Sequence, residues 1–150
     1  MTSGLKSAEI VRTESVDETI RFGERLSKSL KGGDVLAIDG PLGSGKTVLV
    51  RGIFRGLGGN ESLVGSPTFG IAHEYPVDHR LRLVHVDCYR LSGEEDLASI
   101  GWEDFAGSPD AITIIEWADR VSNAVPVGSI YIDAGHVGET CREFEIRRQS

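Results

Sequence analysis

The chain has 150 residues, of which 39% are hydrophobic and 26% are charged, and its formal net charge is −7. This composition argues against disordered, collagen-like and membrane-spanning proteins, and the length predicts a single domain over residues 1–150. The negative charge argues against unaided binding to a nucleic acid, which requires a basic face.

The N-terminal residues and the cysteines indicate the cellular compartment and the state of the thiols. The first fifteen residues lack a basic segment followed by an apolar one, and no apolar run is long enough to cross a bilayer. We therefore expect a cytoplasmic protein. Cys88 and Cys141 lie far apart without CxxC spacing, which predicts free thiols rather than a zinc or redox site.

The first part of the chain alternates between strand-like and helix-like segments. Residues 8–15 carry β-branched side chains and end at Ser15, a possible helix cap, and residues 16–30 have apolar residues near helical spacing. The apolar run 34–40 is typical of a buried parallel strand, and residues 46–59 fit a helix that ends in paired glycines. This alternation is typical of α/β proteins.

The remaining segments predict additions to that sheet. Alternating apolar residues over 66–77 and 81–91 predict a hairpin of uncertain register, and residues 128–148 predict a second hairpin that turns near Gly138. Residues 111–117 are a further candidate for a buried strand. We therefore predict an α/β fold with a mixed, mostly parallel sheet flanked by helices and extended by antiparallel hairpins.

The loop between the second predicted strand and the next helix has the sequence GPLGSGKT, which matches G-x-x-x-x-G-K-[ST] in full. Glycines let successive N–H groups converge on phosphate oxygens, and the helix N-terminus adds partial positive charge. Lysine supplies an ammonium for the β- and γ-phosphates, and the threonine hydroxyl suits Mg²⁺. The loop predicts nucleotide binding by Gly40, Pro41, Leu42, Gly43, Ser44, Gly45, Lys46 and Thr47.

Phosphate chemistry also needs acidic residues that hold a metal ion and order a water molecule. Asp87 and Glu116 each follow an apolar run, at the carboxyl end of a predicted strand, where ligands bind in open α/β sheets. A carboxylate there is alternatively a solvated strand end. Beside a phosphate loop, we expect Glu116 to position Mg²⁺ or water and Asp87 to be a second ligand in the metal's shell.

Several other segments match a known family. SPTF with a following EY, HVDCYRL, IGWEDF and IEW occur in the order and spacing typical of the TsaE family, and the resemblance runs from about Thr13 to the final hairpin. It implies a P-loop NTPase fold that binds ATP and Mg²⁺ and hydrolyses ATP weakly. It also implies action with TsaB and TsaD in the N6-threonylcarbamoyl modification of adenosine 37 of tRNA, with the tRNA held by the complex.

The resemblance carries site roles onto particular residues. Lys46, Asp87 and Glu116 match the family's catalytic positions, and Thr47, Asp87 and Glu116 match its metal-binding positions. Thr68, within the SPTF segment, matches a loop near the γ-phosphate and is a candidate nucleotide sensor. Arg142 lies in a C-terminal region that approaches the adenine.

Three positions depart from the family pattern. Pro41 stands where the family usually has an acidic residue, Gly70 replaces a hydroxyl residue, and Cys88 replaces an aliphatic one. Pro41 removes one backbone donor early in the loop, so we expect nucleotide binding to survive.

Other residues have structural interpretations at this stage. Ser92 lies three residues before Glu95, the spacing of a helix capping box ahead of a short helix. Trp117, at the end of a buried strand, is expected in the core, with contact to a partner or nucleotide as the alternative. His85 is expected to be an ordinary strand histidine, because no histidines show paired metal spacing.

Two other functions remain compatible with a phosphate loop. A small-molecule kinase would need an acceptor pocket and usually a lid, and no separate lid segment is evident. A nucleotide-gated interaction module would use ATP to order a switch with little need for hydrolysis. The pair of acidic strand ends favours hydrolysis.

Overall fold

The computed structural model describes residues 8–59, 72–77 and 81–148. Their strands form one seven-stranded sheet in the order β1-β7-β6-β2-β5-β4-β3. The strands are β1 (Glu9–Thr13), β2 (Val35–Asp39), β3 (Ala72–Pro76), β4 (Arg82–Asp87), β5 (Ala111–Glu116), β6 (Ile130–His136) and β7 (Arg142–Arg148). The helices are α1 (Val16–Ser27), α2 (Lys46–Gly56) and α3 (Trp102–Phe105), with 3-10 helices at Glu94–Ile100 and Ala118–Ala124.

The predicted fold class is confirmed by the strand directions. β6, β2, β5 and β4 are parallel neighbours, β7 is antiparallel to both β6 and β1, and β3 is antiparallel to β4. β1 therefore runs in the same direction as the four parallel strands, and only β3 and β7 oppose them. The two predicted hairpins are β3–β4 and β6–β7, and the second turns between His136 and Arg142 as expected.

Helices α1 and α2 cover one face of the sheet and pack closely on each other. The Ser15 hydroxyl accepts the Glu18 backbone N–H at 3.1 Å, which confirms the predicted cap at the start of α1. The two helices approach through Gly23 and Gly52, where an added Cβ at Gly52 would lie 2.3 Å from the Ile20 carbonyl oxygen. This close packing fixes α2, and with it the loop that precedes α2, against the sheet.

The opposite face is covered by the 3-10 helices and α3, and here one expectation is wrong. Ser92 does not form a capping box with Glu95; its backbone N–H and hydroxyl both donate to the Asp96 carboxylate, at 2.9 and 3.2 Å. Gly93 is the N-cap of the following 3-10 helix. The 3-10 helix begins one residue later than predicted, so Asp96, three residues after Gly93, is the carboxylate that reaches back to Ser92. Among the described helices, none combines the length and the apolarity needed to cross a bilayer.

The two cysteines are free, as expected, and should differ in reactivity. Cys88 is fully buried, and burial raises its pKa to about 12, whereas Cys141 is partly exposed. At pH 8, four units below that pKa, only about one Cys88 thiol in ten thousand is ionised. We expect iodoacetamide to modify Cys141 and to leave Cys88 unmodified in the folded protein. Peptide mass spectrometry, with a urea-unfolded control in which both react, checks this; rapid labelling of Cys88 in the folded state would contradict it.

Candidate active site

The loop Gly40–Thr47 lies between the end of β2, the central strand of the sheet, and the start of α2. Gly40 has a φ of +150°, and a Cβ there would lie 2.3 Å from the Ala134 carbonyl oxygen on β6. A side chain at Gly40 would therefore displace the loop from the sheet. The tight turn brings the loop directly beside β6, and this close approach requires the glycine that the loop pattern predicts.

Lys46, the first residue of α2, is held inside this loop. Its Nζ atom donates hydrogen bonds to the Gly40 carbonyl and, at 3.0 Å, to the Pro41 carbonyl, and it lies 4.1 Å from the centre of the Trp117 ring. Only 5% of the residue is exposed, and this burial lowers the pKa of the ammonium below its usual value. Nearby carboxylates, Glu116 foremost, oppose that shift. The ammonium is therefore a poorly hydrated charge at the mouth of the loop.

Three oxygen-bearing side chains converge beside Lys46. The Thr47 hydroxyl lies 3.3 Å from each carboxylate oxygen of Glu116, at the end of β5. Asp87, at the end of β4, is the direct neighbour of Glu116 in the parallel register. One Asp87 oxygen accepts the Tyr89 backbone N–H at 2.9 Å, which fixes the carboxylate at the strand end. The structure thus brings together the residues that the sequence predicts for catalysis and metal binding.

Glu116 has a second partner that the sequence analysis did not assign to the site. His85, on β4, places its Nε2 atom 2.5 Å from one carboxylate oxygen of Glu116. Both residues are buried, with His85 0% and Glu116 3% exposed. The expectation of an ordinary strand histidine is therefore incomplete. Its position two residues before Asp87, on the same face of β4, is a signal that could have identified it.

Trp117 packs against the buried residues beneath the 3-10 helices, as a core residue would, and it also lies at the cavity wall. Its backbone is left-handed, with a φ of 59°, and its N–H donates to the Ile38 carbonyl. The ring packs on Tyr89 with 4.8 Å between ring centres, and the Arg120 guanidinium lies 5.8 Å from the ring centre. The backbone turn after β5 directs the indole towards Lys46.

These residues line one end of a cavity of about 560 Å³, a size typical of small-molecule sites. The other end lies between the start of α1 and the β6–β7 turn. The residues lining that end are Glu14, Ser15, Val16, Thr19, Glu139, Thr140 and Arg142. The cavity therefore extends from the phosphate loop at one end to the β6–β7 turn at the other.

Arg142 joins the β6–β7 turn to the phosphate loop. Its Nε atom donates to the Gly43 carbonyl at 3.0 Å, and one terminal nitrogen donates to three carbonyls of the turn, those of Gly138, Glu139 and Cys141. Arg142 thus lies at the cavity wall with its guanidinium bound to backbone oxygens, and its place beside an adenine stays a prediction. The remaining predicted site residue, Thr68, and the rest of its segment, 66–70, lie outside the described residues.

Comparisons with known proteins agree with this architecture. The family model described as threonylcarbamoyl adenosine biosynthesis protein TsaE matches residues 13–144. The tRNA threonylcarbamoyladenosine biosynthesis protein TsaE of Treponema pallidum is 33% identical over 134 residues, which cover 89% of this chain and 96% of that protein. The Bacillus subtilis protein of the same description is 33% identical over 133 residues, covering 89% of this chain and 81% of that protein.

A solved structure resembles the whole described fold. The crystal structure of Bacillus subtilis YdiB superposes with a TM-score of 0.77 at 27% identity, covering 96% of this chain and 87% of that one. The family match, the two relatives and the solved structure each extend over most of the chain. The chain belongs to the TsaE family of threonylcarbamoyl adenosine biosynthesis proteins.

Proposed function

We propose that this protein binds ATP with Mg²⁺ and hydrolyses it to support the TsaB–TsaD complex in the N6-threonylcarbamoyl modification of adenosine 37 of tRNA. The observation that carries the proposal is the convergence of Lys46, Thr47, Asp87 and Glu116 at one end of a single cavity. An ammonium, a helix N-terminus and two carboxylates are the groups that phosphoryl chemistry uses. The net charge of −7 supports a role in which partner proteins hold the tRNA.

The contacts of Lys46 favour binding of a phosphate group. Two loop carbonyls accept its hydrogen bonds, and burial removes much of the water that would otherwise stabilise the ammonium. Phosphate oxygens carry more negative charge than carbonyl oxygens and form stronger, charge-assisted hydrogen bonds. The side chain would therefore exchange one carbonyl contact for the β- and γ-phosphates as ATP enters.

The oxygen donors next to Lys46 fit a divalent cation that is held jointly with phosphate. The Thr47 hydroxyl and the Glu116 and Asp87 carboxylates are the hard oxygen ligands that Mg²⁺ prefers. When bound, Mg²⁺ would neutralise negative charge on the phosphate oxygens. Thr47 would hold the ion directly, and Asp87 would hold its water shell. Glu116 would orient the attacking water and accept its proton.

Replacing Asp87 with Asn separates its charge from its structural contact. The Asn side-chain oxygen still accepts the Tyr89 N–H, so the strand end should keep its shape. Loss of the negative charge should raise the Mg²⁺ concentration for half-maximal ATP hydrolysis roughly tenfold, as for other groups that act on a metal's shell. Titration of ATPase rate against Mg²⁺ checks this. The exposed Asp104→Asn variant is the matched control, and an unchanged Mg²⁺ requirement in Asp87→Asn would place the metal elsewhere.

Reconstitution tests the proposal as a whole. Purified TsaB and TsaD, a cognate tRNA and threonylcarbamoyl-adenylate are combined with and without this protein, and modified tRNA per complex and ATP hydrolysed are counted. We expect multiple rounds of modification only when the protein is present, and faster ATP hydrolysis when its partners are present. ATP consumption only after addition of a small metabolite, with modification unaffected, would contradict the proposal and favour a kinase.

A further inference from the structure

Among the described residues of the candidate site, His85 makes the shortest contact between two side chains, and no role has been assigned to it so far. It is fully buried on β4, and its Nε2 atom lies 2.5 Å from Oε2 of Glu116. Among the described residues, the Thr47 hydroxyl is the other hydrogen-bond partner of this carboxylate, and it lies 3.3 Å from both oxygens. His85 is therefore the closer of these two partners, and its bond to the carboxylate is charge-assisted.

The strand register explains why these two side chains meet. His85 faces Ile114 on β5, and Asp87 faces Glu116. Residues two apart on a strand share one face of the sheet, so His85 and Glu116 are diagonal neighbours on the side covered by α2. The imidazole therefore lies beneath the carboxylate, on the core side, and the loop and cavity lie above it.

The surroundings of the imidazole determine which nitrogen carries the hydrogen. The Nδ1 atom is buried and has no hydrogen-bond partner within residues 8–59, 72–77 and 81–148. A hydrogen on Nδ1 would leave a buried donor unpaired and would set the Nε2 lone pair against a carboxylate oxygen. A hydrogen on Nε2 avoids both costs. His85 is thus a donor to Glu116 through Nε2.

We propose that His85 is a positioning residue that holds the Glu116 carboxylate in its working orientation during ATP hydrolysis. The inference rests on the proposed function, in which the oxygen of the Thr47 hydroxyl also binds the metal ion. The bond from His85 reaches Glu116 from the core side, away from the bound nucleotide. Without that bond the carboxylate could rotate, and it would spend less time aimed at the attacking water.

Two amide substitutions separate this role from simple core packing. The amide nitrogen of Gln reaches the position of imidazole Nε2, whereas that of Asn matches Nδ1 and falls short of Glu116. We expect His85→Gln to keep kcat for ATP within about threefold of the wild-type value. His85→Asn and His85→Leu should lose about tenfold or more in kcat, the range seen when outer-shell groups are removed, with KM for ATP little changed.

A purely structural histidine would give a different pattern. It would lower the melting temperature in all three variants, with no advantage of Gln over Asn and no loss confined to kcat. Thermal unfolding of each purified variant is therefore measured as well. The kinetics are measured in the presence of the partner proteins. If His85→Leu fails to fold, the comparison of Gln with Asn decides.

Nitrogen NMR of histidine-labelled wild-type protein gives a readout that needs no ATP. We expect a hydrogen of His85 on Nε2, and a ring that carries its hydrogen on Nδ1 alone would overturn the proposal. Equal kcat in the wild-type, Gln and Asn proteins would overturn it as well, while leaving the proposed function intact. A wild-type protein that hydrolyses no ATP with its partners would instead overturn the proposed function, and the catalytic role of His85 with it.

Discussion

Replacing Lys46 with Met should lower the affinity for ATP by roughly 10- to 150-fold. The substitution keeps the length of the side chain and removes the ammonium, and a hydrogen bond to a charged group contributes about 1.5–3 kcal/mol. The side chain is 5% exposed, so water would replace the lost phosphate contact poorly. Isothermal titration with ATP and Mg²⁺ measures the effect directly, without dependence on hydrolysis.

Stability and a second lysine supply the controls for this prediction. Burial lowers the pKa of Lys46, which means that the folded protein holds its charged form less readily than the unfolded chain does. Removing the charge should therefore leave the melting temperature unchanged or slightly higher. Lys31→Ala, at an exposed position outside the cavity, should bind ATP normally. Wild-type affinity in Lys46→Met would show that the loop does not hold the triphosphate.

Replacing Glu116 with Gln should lower kcat for ATP hydrolysis by about 10²- to 10³-fold while ATP binding is retained. Gln keeps the shape of the side chain and an oxygen that can accept the hydrogen bond from His85, but it cannot take a proton from water. General-base groups typically contribute factors of about 10²–10⁴. Loss of a negative charge beside Lys46 should leave the affinity for ATP equal or higher. Single-turnover hydrolysis measures the chemical step, and titration measures binding.

An exposed carboxylate provides the matched control for this substitution. Glu103→Gln removes one negative charge from the surface near α3, away from the cavity, and should hydrolyse ATP at the wild-type rate. Equal loss in both variants would point to an effect of net charge. A Glu116→Gln protein that still supports full modification of tRNA would favour nucleotide gating over hydrolysis as the working step.

The parts of the fold and site that were predictable depend on local residue types. The phosphate loop is recognised from the spacing of its glycines, Lys46 and Thr47, and the cap of α1 is recognised from the hydroxyl of Ser15. Each of these features depends on only a few neighbouring residues. The acidic ends of β4 and β5 were predictable because apolar runs end there. Their roles in catalysis stay predictions, although the register places them side by side.

The parts that were not predictable depend on contacts between distant segments. The bond between His85 and Glu116 requires the register of β4 against β5, which alternation within one strand does not determine. Trp117 adopts a left-handed backbone conformation, which is rarely expected at a residue other than glycine. The Ser92 spacing was misleading because the helix that follows is capped one residue later, at Gly93, so Asp96 rather than Glu95 reaches back to Ser92.

The cavity is completed by segments from both ends of the described chain, which has a consequence for how the protein folds. β7 lies between β6 and β1, and Arg12 on β1 pairs with Glu143 on β7 across 131 residues. The phosphate loop leaves the ribosome early, but the wall formed by Ser15 and Arg142 assembles only after β7 has been synthesised and inserted. On the proposed function, ATP would therefore bind the finished domain and stabilise it by mass action, rather than guide early folding of the nascent chain.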